Sequence, residues 1–123
     1  MNSTINVLAL AYLGDAIYEY YIREYLLQKG TVKVKDLQEE AVSFVSAKSQ
    51  CKYLKQMIEQ NILTEEELEV VMRARNHKSH KSPKNTDVST YKYATGLEAL
   101  IGYLHIQKKG ERIQTIMNWI IGE

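Results

Sequence analysis

The 123-residue chain is poor in residues that cross-link or punctuate a fold: one cysteine (Cys51), one proline (Pro83) and six glycines. A lone cysteine allows no internal disulfide, so the fold must rest on its apolar core, and a reducing cytoplasm is the expected compartment. No stretch approaches the roughly 20 uninterrupted apolar residues of a membrane span. The apolar run at residues 5–13 has no basic leader before it and no small-residue cleavage site after it. It reads as a core helix and not as an export signal. No segment alternates with a period of two, which leaves no candidate strand. Net charge is nearly absent as well: 16 Lys and Arg against 15 Asp and Glu leave +1. Such a balance excludes a uniformly basic protein but leaves room for one basic patch. Apolar residues make up 45% and charged residues 25%, as in ordinary globular proteins. The length suits a single domain, residues 1–123, with one core.

What is present is helical. Apolar or small residues recur at Ile5, Leu8, Ala9, Tyr12, Leu13, Ala16, Ile17 and Tyr20, and the other faces of this segment are nearly as apolar. The pattern predicts a central, buried helix over residues 4–28, stopped at Gly30. A second helix is expected over 36–44, and a third from Ser46, a good N-cap, to residue 60. Thr64 and Glu67 form a capping-box pair that opens a fourth, carrying Leu68, Val71 and Met72. Asp87 or Ser89 caps a fifth through residue 106, and a sixth covers 110–121. The fold class is therefore all-α, with six helices.

Chemistry-bearing residues are few and localised. Residues 1–22 contain only two charges, Asp15 and Glu19, and residues 93–104 contain only Glu98. A carboxylate inside a buried helix is costly unless it is paired, and a divalent cation is one possible partner. Small residues (Gly14 beside Asp15; Thr95, Ala99 and Gly102 around Glu98) would let the first and fifth helices cross closely. The plainer reading is a set of satisfied structural carboxylates, with Glu19 paired to Arg23 four residues on. Residues 73–85 carry Arg73, Arg75, Lys78, Lys81 and Lys84 with Asn76, Asn85 and no acid, around the only proline. This is either a solvated loop or a clamp for a phosphate backbone. His77 and His80 lack the further ligands of a zinc site. Glu65, Glu66, Glu67 and Glu69 stand in a first helical turn, where the helix dipole accounts for them. The nine tyrosines suit a core or a subunit interface better than base stacking, and Cys51 and His105 read as structural.

Three segments carry a resemblance. Tyr12-Leu13-Gly14-Asp15-Ala16 resembles the signature of the ribonuclease III family, and Leu97-Glu98-Ala99-Leu100-Ile101-Gly102 resembles its second acidic segment. Phe44-Val45-Ser46-Ala47-Lys48-Ser49 is similar to the family's middle helices. The run from Arg73-Ala74-Arg75-Asn76 to Pro83-Lys84-Asn85-Thr86-Asp87-Val88 is similar to the Mini-III subgroup, whose members consist of the catalytic domain with no double-stranded-RNA-binding domain. The resemblance implies a Mg²⁺-dependent endoribonuclease that acts as a homodimer on double-stranded RNA. It places catalysis and metal binding on Asp15 and Glu98, and a subunit-interface aromatic on Tyr12. RNA contacts are expected from Arg73, Arg75, Asn76, Lys78, Lys81, Lys84 and Asn85. The implied substrate is the stem of precursor 23S ribosomal RNA in bacteria, and a large-subunit ribosomal protein is a possible further partner. Two family acids are missing, at Ala11 and Thr95. Their absence leaves a second reading, a binding module of the same fold without catalysis. A third reading is an all-α nucleotide pyrophosphohydrolase that uses the Glu65–Glu69 cluster.

Overall fold

The computed structural model describes residues 5–78 and 87–122, and over these the chain is all-α. Its helices are α1 (Val7–Lys29), α2 (Val34–Val45), α3 (Ala47–Glu59), α4 (Glu65–Arg75), α5 (Val88–Ile106) and α6 (Gly110–Ile121). Most boundaries follow from side-chain caps. Asn6 accepts from the Leu8 N–H at 2.7 Å to start α1, and Gly30 ends it at φ 107°, where a side chain would be strained. Ser46 caps α3, Thr64 and Glu67 make the expected capping box of α4, and Asp87, not Ser89, caps α5. The start of α2 departs from the sequence reading by two residues. Lys33 offers no capping side chain, and Asp36 sits inside the first turn, where its charge meets the helix dipole.

The central helix is α5 and not α1, which corrects the reading from apolar content. α5 packs against α1, α3, α4 and α6 and buries nine residues, from Ala94 to Leu104. α1 buries a single stripe, Val7, Leu10, Ala11, Gly14, Tyr18, Ile22 and Leu26. Its other face presents Tyr12 (85% exposed), Tyr20 and Leu27 to the surface, and α2 buries no residue fully. Apolarity all round α1 therefore reflects two separate faces, only one of them spent on this core.

Around α5, the core gathers Tyr18, Ile22, Leu26, Leu54, Met57, Leu97, Leu100, Leu104, Ile113 and Met117. The Tyr18 hydroxyl keeps its hydrogen bond on entering this core by donating to the Phe44 carbonyl at 2.7 Å. The contact that positions the site is the crossing of α1 over α5. A Cβ on Gly14 would lie 1.7 Å from the Glu98 carbonyl oxygen, and one on Gly102 would lie 2.0 Å from that of Leu10. The two helices touch backbone to backbone, as the small residues in both segments suggested. Among the described residues no helix is long and apolar enough to cross a membrane.

Candidate active site

The glycine crossing sets two acids side by side. Asp15 follows Gly14 at the exposed rim of the α1 stripe, and Glu98 stands half-buried on α5. The exposure of Asp15 corrects the expectation that both acids would be buried: it lies one step off the stripe that faces α5. The two carboxyl groups are close enough to share a proton. Burial first, and then the charge and hydrogen bond of Asp15, push the Glu98 carboxyl up to about 8. Glu19 adds to this, although it also makes the expected ion pair with Arg23, at 2.9 Å. Its spacing to Arg23 was visible in sequence; its reach to Glu98 was not.

Neither of the two positions that lack an acid supplies a substitute charge. Ala11 packs in a small cluster with Val7, Leu10, Val70, Ala74 and Ala99. Thr95 is buried and donates its hydroxyl to the Tyr91 carbonyl at 3.0 Å. Among the described residues no group of three or more His, Cys, Asp or Glu gathers. What remains is a pair of hard oxygen donors whose mutual repulsion a divalent cation would relieve, and that donor set fits Mg²⁺.

One polar neighbour had no motif to announce it. Gln50 of α3 is 1% exposed, and its amide acts on Glu98 to favour the carboxylate, yet Nε2 has no hydrogen-bond partner among the described residues. Its sequence signal was a polar residue on the inward face of α3, in register with Leu54 and Met57.

The basic segment divides. Arg75 lies over the Tyr93 ring at 5.2 Å and donates to the Tyr93 hydroxyl at 3.3 Å, while Lys55 approaches the same ring at 4.8 Å. Arg75 and Asn76 line a shallow polar pocket with Asp87, Ser89 and Lys92. Lys55 and Lys92 lie outside the basic run, so no local pattern groups them with Arg75. Arg73 and Lys78 are exposed, and Arg73 lies near Tyr103 on another side of α4. Lys81, Lys84 and Asn85, together with His80, fall outside the described residues. Two of the four glutamates of α4 have partners of their own. Arg112 grips Glu67 through two bonds of 2.8 Å, and Tyr103 donates its hydroxyl to Glu66.

Residues 8–109 match the family model described as the ribonuclease III domain. The chain is 50% identical to a Mini-ribonuclease 3 of Enterococcus faecalis, over 95% of its own length and 89% of that protein. It is 46% identical to a Mini-ribonuclease 3 of Streptococcus pneumoniae, over 95% and 91%. A crystal structure of a protein from Fusobacterium nucleatum, 40% identical, superposes with a TM-score of 0.86 over 98% of this chain and 94% of that one. With most of its length matched in sequence and the same helices in space, the chain belongs to the ribonuclease III family.

Proposed function

We propose that this chain, an endoribonuclease of the ribonuclease III family, cuts double-stranded RNA by Mg²⁺-assisted hydrolysis at Asp15 and Glu98 and acts as a homodimer. The observation that carries the reading is the acid pair itself: two carboxyl groups pressed together by a backbone crossing, with Glu98 held well above the usual carboxylate range. A structural pair would bring a cationic side chain with it. Among the described residues no cationic group acts on Glu98, which leaves that charge to an incoming ion. Bound Mg²⁺ supplies an activated water and neutralises charge on the scissile phosphate. The chain's part is to hold the ion between Asp15 and Glu98, for which Glu98 must release its proton. Attack of water on phosphorus then breaks the bond to the 3′ oxygen and leaves a 3′-hydroxyl and a 5′-phosphate.

Shape, rather than base sequence, is the feature of double-stranded RNA that proteins mostly recognise. Arg75 on its Tyr93 platform, with Asn76 and Lys92, suits a phosphate clamp on the N-terminal half of α5, Lys92 and Tyr93 lying roughly 8–9 Å along that helix from Glu98. Arg73, Lys78, Lys81, Lys84 and Asn85 extend the clamp. The unspent apolar face supports a dimer: Tyr12, Tyr20, Leu27, Val34 and Val42 are exposed on α1 and α2. An isologous interface there would supply two sites, one for each RNA strand. The substrate we assign is the double-stranded stem of precursor 23S ribosomal RNA, in the bacterial cytoplasm.

The test is to incubate the protein and Mg²⁺ with labelled duplex RNA, duplex DNA and nucleoside triphosphates. Cleavage of duplex RNA alone, with 5′-phosphate ends and no cleavage by Asp15→Asn, is the expected result. Triphosphate hydrolysis, or RNA binding without cleavage, would transfer the case to the pyrophosphohydrolase or the inactive binding module.

A further inference from the structure

Gln50 has no evident structural task. Its side chain is almost completely buried on the inward face of α3, between α3 and α5, and its Nε2 makes no hydrogen bond among the described residues. Leaving a buried amide donor unmade destabilises the fold, a cost that a Leu or Met of similar volume at the same position would not incur. The amide sits against Glu98 and acts on it in the direction that favours the ionised form. A Glu98 that ligates a cation is ionised, and an ionised, half-buried carboxylate needs a donor to fix it. Groups that orient a metal ligand from behind in this way commonly change metal affinity by 10–100-fold when removed.

Building on the assignment of the metal to Asp15 and Glu98, we propose that Gln50 is a positioning residue, whose buried amide holds the Glu98 carboxylate in the orientation that binds a divalent cation beside Asp15. It touches neither RNA nor the reacting water. Its effect runs through Glu98.

The experiment measures MgCl₂ binding by calorimetry, without RNA, for the wild type, Gln50→Leu, Gln50→Met, Asp15→Asn and Glu98→Gln. Thermal unfolding in EDTA and duplex-RNA cleavage against Mg²⁺ concentration accompany it. Gln50→Leu and Gln50→Met are expected to unfold in EDTA at or above the wild-type temperature, since both remove an unmet donor. Both should bind Mg²⁺ about tenfold or more weakly. Cleavage should need correspondingly more Mg²⁺ and recover in large part when it is supplied. A residue that only packs would move the unfolding temperature and leave Mg²⁺ affinity alone. If both Gln50 variants bind Mg²⁺ like the wild type while Asp15→Asn and Glu98→Gln do not, Gln50 is a packing residue and the active-site reading stands. If the two acid variants also bind like the wild type, the ion sits elsewhere and both ideas fail. Should Gln50→Leu fail to fold, Gln50→Met decides.

Discussion

Glu67 and Glu98 are the same residue type, each sunk into a helical interface, and the protein treats them oppositely. Burial pushes both upward. At Glu67 the push is outweighed by the Arg112 guanidinium, the Thr64 N–H and nearby Lys109, and its carboxyl ends below the usual range. At Glu98 the charged groups that act on it among the described residues are Asp15 and then Glu19, both of the same sign, and the carboxyl is driven up to about 8. The first acid is complete within the chain and ties α4 to the start of α6. The second finds no cationic partner among the groups that act on it in the described residues, as the proposed metal site requires. The difference teaches how to tell a structural carboxylate from a functional one: what matters is whether the fold supplies the counter-charge, not how deeply the group is buried.

The sharpest way to break the comparison is to neutralise each side. Asp15→Asn and Glu98→Gln keep side-chain size but remove the charge a hard cation needs. Cleavage of duplex RNA should fall by roughly three orders of magnitude or more, about 4 kcal/mol of barrier, while binding to RNA persists in EDTA. Wild-type cleavage by either variant would remove the site from this crossing. Next in size is Arg112→Leu, which strands a buried charge at Glu67. Urea unfolding should show a loss of about 3 kcal/mol, with cleavage at low temperature unchanged.

Smaller, but opposite in sign, are the two pH dependences. The Glu98 carboxyl, raised from 4.5 to about 8, keeps in the folded chain a proton that the unfolded chain releases. Its contribution to stability is full below about pH 4.5 and is lost as pH rises through about 8. Glu67, lowered from 4.5, contributes above that pH and loses its contribution as acid protonates it. Unfolding temperatures recorded in EDTA should therefore fall on both limbs. Glu98→Gln should flatten the alkaline one, Glu67→Gln the acidic one, and exchanged effects would reverse the comparison. The smallest effect belongs to Glu19→Gln, because its pair with Arg23 is largely exposed: stability should change by less than about 0.5 kcal/mol. A larger change in cleavage would promote Glu19 into the site.

Much of this was legible beforehand, for identifiable reasons. Helix ends announced themselves at Ser46, Thr64 and Asp87, and were misjudged at α1, expected from residue 4 but capped by Asn6 and begun at Val7, and at α2, where Lys33 caps nothing. Asp15 and Glu98 stood out because charge is scarce around them, and Gly14 and Gly102 because closely packed helices need small residues. The centrality of α5 was hidden, since apolar content cannot distinguish a face buried in this core from one left outside it. Gln50, Lys55 and Lys92 were hidden too. They belong to no local pattern and acquire meaning only from what the fold brings beside them.

Gly14 and Gly102 carry one more consequence. Because α1 and α5 meet with no side chain between them, the interval between Asp15 and Glu98 is gauged by the thickness of two bare peptide backbones. Such a gauge has little play. Side chains can repack around a changed neighbour, whereas main-chain atoms in contact yield only if a whole helix moves. A methyl group added at residue 14 would act as a shim, prising the acids apart without altering either of them. On the proposed site, a ribonuclease could then lose its cut while keeping both of its acids.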